Sequence, residues 1–178
     1  MAENIYTSAS QVTDALKRSS DSYELVKKAD STNLVISWGS HYQDSFHRWS
    51  ALTTQQFAEE SYSNFDVLYL RDNAGLFYLD GLSGLGSSEN FSDLAGYINT
   101  TIGSYSSGKV THIGSREGGY AALLFACLAN QSNSIVFAIH PTFNLTEVDS
   151  VVDDTGEANE WFNRVKNAEM YNDYKSLT

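Results

Sequence analysis

A strand that passes through closely spaced glycines straight into an apolar helix can be built in few ways. Residues 109–128, KVTHIGSREGGYAALLFACL, form such a segment. KVTHIG has the β-branched, apolar character of a buried strand, and YAALLFACL is apolar on every side, as a helix sunk in a core must be. Between them Gly114, Gly118 and Gly119 bracket Ser115, Arg116 and Glu117, which marks a tight strand-to-helix turn. A unit of this kind belongs to an α/β fold with a mainly parallel sheet.

The rest of the chain repeats the alternation. NLVISW (33–38) and FDVLYLRD (65–72) read as buried strands, as do residues 109–114 and 134–140, so about four or more strands flanked by helices are expected. Helices are predicted over 8–29 (Val12, Leu16, Tyr23 and Val26, with a break at SSDS), 50–61 (Thr53 and Gln56 at capping-box spacing) and 89–105. In the last of these Phe91, Leu94, Ile98, Ile102 and Tyr105 share one face. Two further helices are expected, at 117–129 and at 157–175, the latter with Trp161, Val165, Ala168 and Tyr171 on one side. NAGLFYLDG, between glycines, predicts a small hairpin or extended excursion. No internal repeat or linker divides the 178 residues. One domain over 1–178 is expected, with an N-terminal helical segment at 1–32 and an acidic loop and C-terminal helix at 142–178.

Gly114-Ser115-Arg116-Glu117-Gly118 falls in the frame of the nucleophile elbow G-x-S-x-G. VTHIGSREGGYAALLF resembles the elbow of α/β-hydrolase-like proteins that carry G-S-S-M-G-G-Y-A-A-L. VLYLRDNAGLFYLDGLSGLG is similar to the strand and loop that precede that elbow in bacterial members. The resemblance covers residues 33–141 and implies a reduced α/β-hydrolase-like fold, truncated after the strand that follows the elbow.

The departures from the family pattern bear on chemistry. The resemblance places the nucleophile at Arg116, whose guanidinium stays protonated and delocalised and cannot accept an acyl group. Ser115 stands one position early, with Ile113 and Glu117 rather than glycines at its flanks. The family's acid and histidine follow the elbow, but here the last histidine is His140 at the end of the next strand, and His41, His47 and His112 precede it. The elbow is therefore degenerate, and no catalytic residue is assigned in it. The loop WGSHYQDS corresponds to the family's oxyanion-donor loop, so Ser40, His41, Arg116 and Glu117 would line what is left of the pocket. A cation at a helix N-terminus is unfavourable unless a carboxylate or phosphate offsets it. That counter-charge is either Glu117, Asp44 or Asp72, giving a plugged pocket, or a small anionic ligand.

Composition narrows the alternatives. A net charge of −11 repels phosphate backbones, which argues against nucleic acid. The N-terminus has neither a basic n-region nor an apolar h-region, and no apolar run approaches the roughly 20 residues of a membrane span. Neither secretion nor membrane insertion is therefore expected, which leaves the cytoplasm or an assembled particle. Cys127, the single cysteine, excludes an intrachain disulfide and is expected to be a buried small hydrophobe. His41, His47 and Asp44 are poorly spaced to chelate a metal, and Glu147, Asp149, Asp153, Asp154 and Glu157 do not fit an EF-hand. No cofactor or metal is expected.

The function these features predict is a catalytically inactive module that acts through protein contact or self-association. The Tyr-, Asn- and Ser-rich composition is similar to that of marine-phage virion proteins, in keeping with a decoration or assembly role. The alternatives are a residual serine esterase, using Ser115 or another serine with His41 or His112 as base, and small-anion binding at Arg116.

Overall fold

The structure, a computed structural model, describes residues 11, 22–27, 31–40, 65–85, 89–129, 132–145, 165–168, 170–175 and 177. Its strands are β1 (Tyr23–Val26), β2 (Asn33–Trp38), β3 (Phe65–Leu70), β4 (Val110–Ser115) and β5 (Ser134–Ile139), in the order β1-β3-β2-β4-β5. β2 runs parallel to β3 on one side and to β4 on the other, and β5 continues parallel to β4; β1 alone is antiparallel, against β3. Helices α1 (Phe91–Gly103), α2 (Glu117–Ala129) and α3 (Tyr171–Tyr174) complete the described elements. This is the α/β class the alternation predicts, with a mainly parallel sheet.

From β2 the chain goes to β3 on one side, and from β4 it goes to β5 on the other. The carboxyl ends of β2 and β4 therefore form a topological switch point, where open α/β sheets build their sites.

One face of the sheet presents Leu34, Ile36, Trp38, Leu68, Leu70 and Val110 to the two long helices. In α1, Phe91, Leu94, Ile98, Thr101 and Ile102 are buried on one stripe, and the Asn90 side chain caps the helix by accepting from the Asp93 amide at 3.0 Å. In α2 burial runs all round the first two turns, as its uniformly apolar sequence requires. Trp38 stacks on Phe125 at a centroid distance of 4.8 Å and meets Tyr78 edge-on at 5.1 Å. The opposite face carries a smaller cluster of Val26, Val67 and Tyr69 with Val35 and Phe65 against it.

Several expectations are corrected. Of the helix predicted over 8–29, Gln11 is helical, but Tyr23–Val26 form β1. There Val26 lies opposite Val67 and fills the smaller cluster, and β1 covers the otherwise open edge of β3. Residues 73–81 make no hairpin: they are bends and turns with Phe77 and Tyr78 in the left-handed region. The helix predicted over 157–175 is interrupted: Val165 and Lys166 are helical, a turn at Asn167 separates them from α3, and residues 157–164 lie outside the described residues. Val165 and Ala168 are nevertheless buried as predicted. Cys127 is exposed, one turn beyond the half-buried Leu123 on the face of α2 turned away from the sheet. Residues 50–61 and Trp161 lie outside the described residues. No helix among the described residues is long and apolar enough to cross a membrane.

Candidate functional site

At the end of β4 the backbone reverses into α2 around Arg116, whose φ is +53°. A non-glycine residue in this region is strained by about 1–2 kcal/mol. Here the surrounding backbone imposes it. A Cβ on Gly114 would stand 2.2 Å from the Gly118 carbonyl oxygen, and one on Gly118 would stand 2.3 Å from the Trp38 oxygen and 2.9 Å from that of Gly39. Only glycine lets β4, the end of β2 and the first turn of α2 come this close. The Arg116 amide donates to Ile139 O at 3.0 Å, and its carbonyl accepts from the Tyr120 amide at 2.9 Å, tying the apex to β5 and to α2.

Side chains at the turn alternate between solvent and core. Arg116 is exposed, while Ser115 and Glu117 on either side are buried. Glu117 opens α2, where an acidic group complements the helix dipole, yet its Oε2 is buried without a hydrogen-bond partner. Among the described residues Arg116 forms no ion pair. Asp72, one of its candidate partners, is fully engaged elsewhere: Oδ1 accepts from the amides of Ala74 and Gly75, and Oδ2 from those of Leu76 and Tyr78, at 2.7–3.1 Å. Burial raises the Asp72 carboxyl above its ordinary value, and the four amides pull it back. Neither Glu117 nor Asp72 therefore plugs the apex; Asp44, the third candidate, is outside the described residues.

The floor of the switch point is the end of β2. The Gly39 amide donates to Leu70 O at 2.9 Å, and the Tyr78 hydroxyl donates to Gly39 O at 2.8 Å with Leu70 O at 3.2 Å. Burial foremost, then the Asp72 charge and to a smaller degree that of Glu117, pushes the Tyr78 phenol well up, so it remains a donor. Ser40 is buried beside this floor; His41 and His47 lie outside the described residues.

His112 is fully buried beneath α2 and stacks with Trp38 at an interplanar angle of 10°. Trp38 Nε1–H donates to His112 Nδ1 at 3.3 Å, which leaves the proton of the neutral ring on Nε2, where it has no partner. Burial lowers the His112 pKa from 6.5 to about 4. His112 and Ser115 are three residues apart on β4 and leave it on opposite faces, so they do not come together as base and nucleophile. His140, in contrast, is exposed with φ +46° directly after Ile139, the residue whose carbonyl holds the Arg116 amide.

Sequence reasoning did not foresee Asp72 as the organiser of its loop or Tyr78 as the support of Gly39. The signal for the first was present in Asp72-Asn73-Ala74-Gly75, a sequence suited to an Asx-type turn. The site is separate from a cleft of about 660 Å³ at the amino ends of the strands, lined by Asn33, Ser107, Lys109, Asn133 and their neighbours. Among the described residues no group of three or more His, Cys, Asp or Glu side chains could hold a metal ion. No protein-family model matches the chain, and no curated protein matches its sequence.

Proposed function

We propose that this chain is a catalytically inactive α/β-hydrolase-like module that works as a structural or interaction protein, as a subunit that decorates or assembles a larger particle, including a virion, would. The observation that carries the reading is Arg116 at the apex of a glycine-built strand-to-helix turn, at the switch point of the sheet. The backbone there has the sharp geometry a nucleophile elbow needs, and the side chain it presents cannot attack a carbonyl. The separation of Ser115 from His112 on opposite faces of β4 weakens the esterase alternative. Exposed apolar surface supports the interaction half. Of five large hydrophobic side chains exposed among the described residues, four lie within 135–143.

The test of inactivity is hydrolysis of short p-nitrophenyl esters by a folded sample. The expected rate is that of buffer alone; turnover that scales with protein concentration contradicts the reading.

Small-anion binding at Arg116 is a second reading, favoured by its exposed guanidinium at the start of α2 with no ion pair among the described residues. Phosphate or acetate should then raise the melting temperature of the native chain but not of the Arg116→Met variant, since a ligand bound only to the native state stabilises it. No shift with either anion contradicts this second reading.

A further inference from the structure

We infer that β5 pairs with β5 of a second copy of this chain, edge to edge and antiparallel, so that two five-stranded sheets join across a twofold axis. The inference rests on the interaction-module reading and names its partner. β5 is the outermost strand, and among the described residues no strand lies on its other side. Its six residues, SIVFAI, include no charge, no proline and no glycine, so the strand itself carries none of the residues that protect a sheet edge. The chain as a whole carries a net charge of −11, yet two copies meeting along this strand bring no like charges together.

The ladder to β4 determines which groups are free. The carbonyls of Asn133 and Ile139 accept from the amides of Val110 and Arg116. Alternation along the strand then turns the N–H and C=O of Ile135 and Phe137 toward β4 and those of Ser134, Val136 and Ala138 toward the open edge. An antiparallel copy centred on Val136 matches Ser134 to Ala138 of the second copy, Val136 to Val136 and Ala138 to Ser134. Each such pair exchanges two hydrogen bonds. In the same register Ile135 faces Phe137 of the second copy, an aromatic–β-branched pair of the kind that stabilises sheets. Shifting the centre to Phe137 would call on His140, whose φ of +46° takes it out of the strand.

The exposed face supports the same occupant. Ile135, Phe137 and Ile139, alternate residues on one face of β5, are 43%, 55% and 40% exposed. At ~150–250 Å² for a large side chain, they leave on the order of 300 Å² of apolar surface per copy. Edge-to-edge pairing covers the flanks of these side chains and not the face itself, so the association is carried by the exchanged backbone hydrogen bonds and by the Ile135–Phe137 contacts across the seam. A twofold axis perpendicular to the sheet makes the two faces one continuous apolar surface.

Sedimentation equilibrium of the full chain tests this, with amide hydrogen exchange alongside. The native chain should have twice the monomer mass at micromolar concentration, with the Val136 and Ala138 amides protected and becoming fast on dilution. Val136→Pro removes an outward amide, and Phe137→Glu puts a charge on the seam. Each should halve the mass without changing the circular dichroism spectrum. Should Val136→Pro fail to fold, Phe137→Glu and the exchange of the native chain still decide. A native monomer, a dimer that persists in Phe137→Glu, or fast exchange at Val136 and Ala138 at every concentration overturns the pairing. A monomer that hydrolyses no ester removes the self-pairing and leaves the inactive module standing; ester turnover removes that module whatever the mass.

Discussion

Arg116 and the pair Phe77–Tyr78 hold the same left-handed backbone conformation, at φ values of +53°, +57° and +63°, but they are kept there differently. At the elbow the support is backbone against backbone: Gly114 and Gly118 let three chain segments touch, and the Arg116 side chain stands in solvent with no part in the packing. In the 72–81 loop the support is side chains. Asp72 gathers four amides, Phe77 packs edge-on to Tyr120 at 5.6 Å, and the Tyr78 hydroxyl holds the end of β2. A turn built by its glycines is indifferent to its apex residue. A nucleophile can be lost from such a turn while the turn remains; the same exchange at Tyr78 would remove the support itself.

The largest effect expected from this contrast is at Gly118. Gly118→Ala drives a Cβ against the Trp38 and Gly39 carbonyls, which are backbone and cannot step aside, so a loss on the order of 4 kcal/mol is predicted in urea denaturation. Full stability would mean the elbow is not glycine-built. Next is Asp72→Ala, which strands four amides and should cost about 3 kcal/mol. A loss within 0.5 kcal/mol, the usual scatter of surface changes, would show that the loop holds without its carboxylate.

A third effect reports on the core beneath the elbow. The His112 pKa is lowered in the folded chain, so the unfolded chain binds the extra proton first as pH falls. The stabilising contribution is complete above the unfolded value of 6.5 and is lost as pH falls to about 4, amounting to on the order of 3 kcal/mol. Denaturation midpoints should therefore fall across this window and fall less in His112→Gln. Equal slopes in both proteins would place the titration elsewhere. The smallest effect is at the apex. Arg116→Gly relieves a positive φ and should stabilise the fold by about 1 kcal/mol, while Arg116→Ala should be nearly neutral. Destabilisation of several kcal/mol by Arg116→Ala would mean that the apex side chain does hold the turn.

What could be read from the sequence follows the same division. The four parallel strands were legible to within two residues because continuous apolar runs such as NLVISW have no competing pattern. α1 was legible from Phe91, Leu94, Ile98 and Ile102 at helical spacing, and the elbow from glycines that have one steric use. β1 was misread because Tyr23 and Val26, three apart, suit a helix, and only the open edge of β3 makes YELV a strand. The 72–81 loop was misread because glycines flanking apolar residues suggest a hairpin until Asp72 captures the amides. Cys127 was misplaced because an all-apolar helix does not reveal which side meets the sheet. Likewise β5 is apolar at successive positions, so nothing local tells that Ile135, Phe137 and Ile139 face outward. The separation of His112 from Ser115 needed only the strand's alternation.

The central claim is that the elbow is kept and its chemistry is gone. The most direct measurement is the intact mass of the folded chain after exposure to a fluorophosphonate. No adduct is predicted, because Arg116 occupies the apex and Ser115 is buried at the end of β4. A single phosphonyl adduct mapped to Ser115, abolished by Ser115→Ala in a protein that still folds, would contradict it.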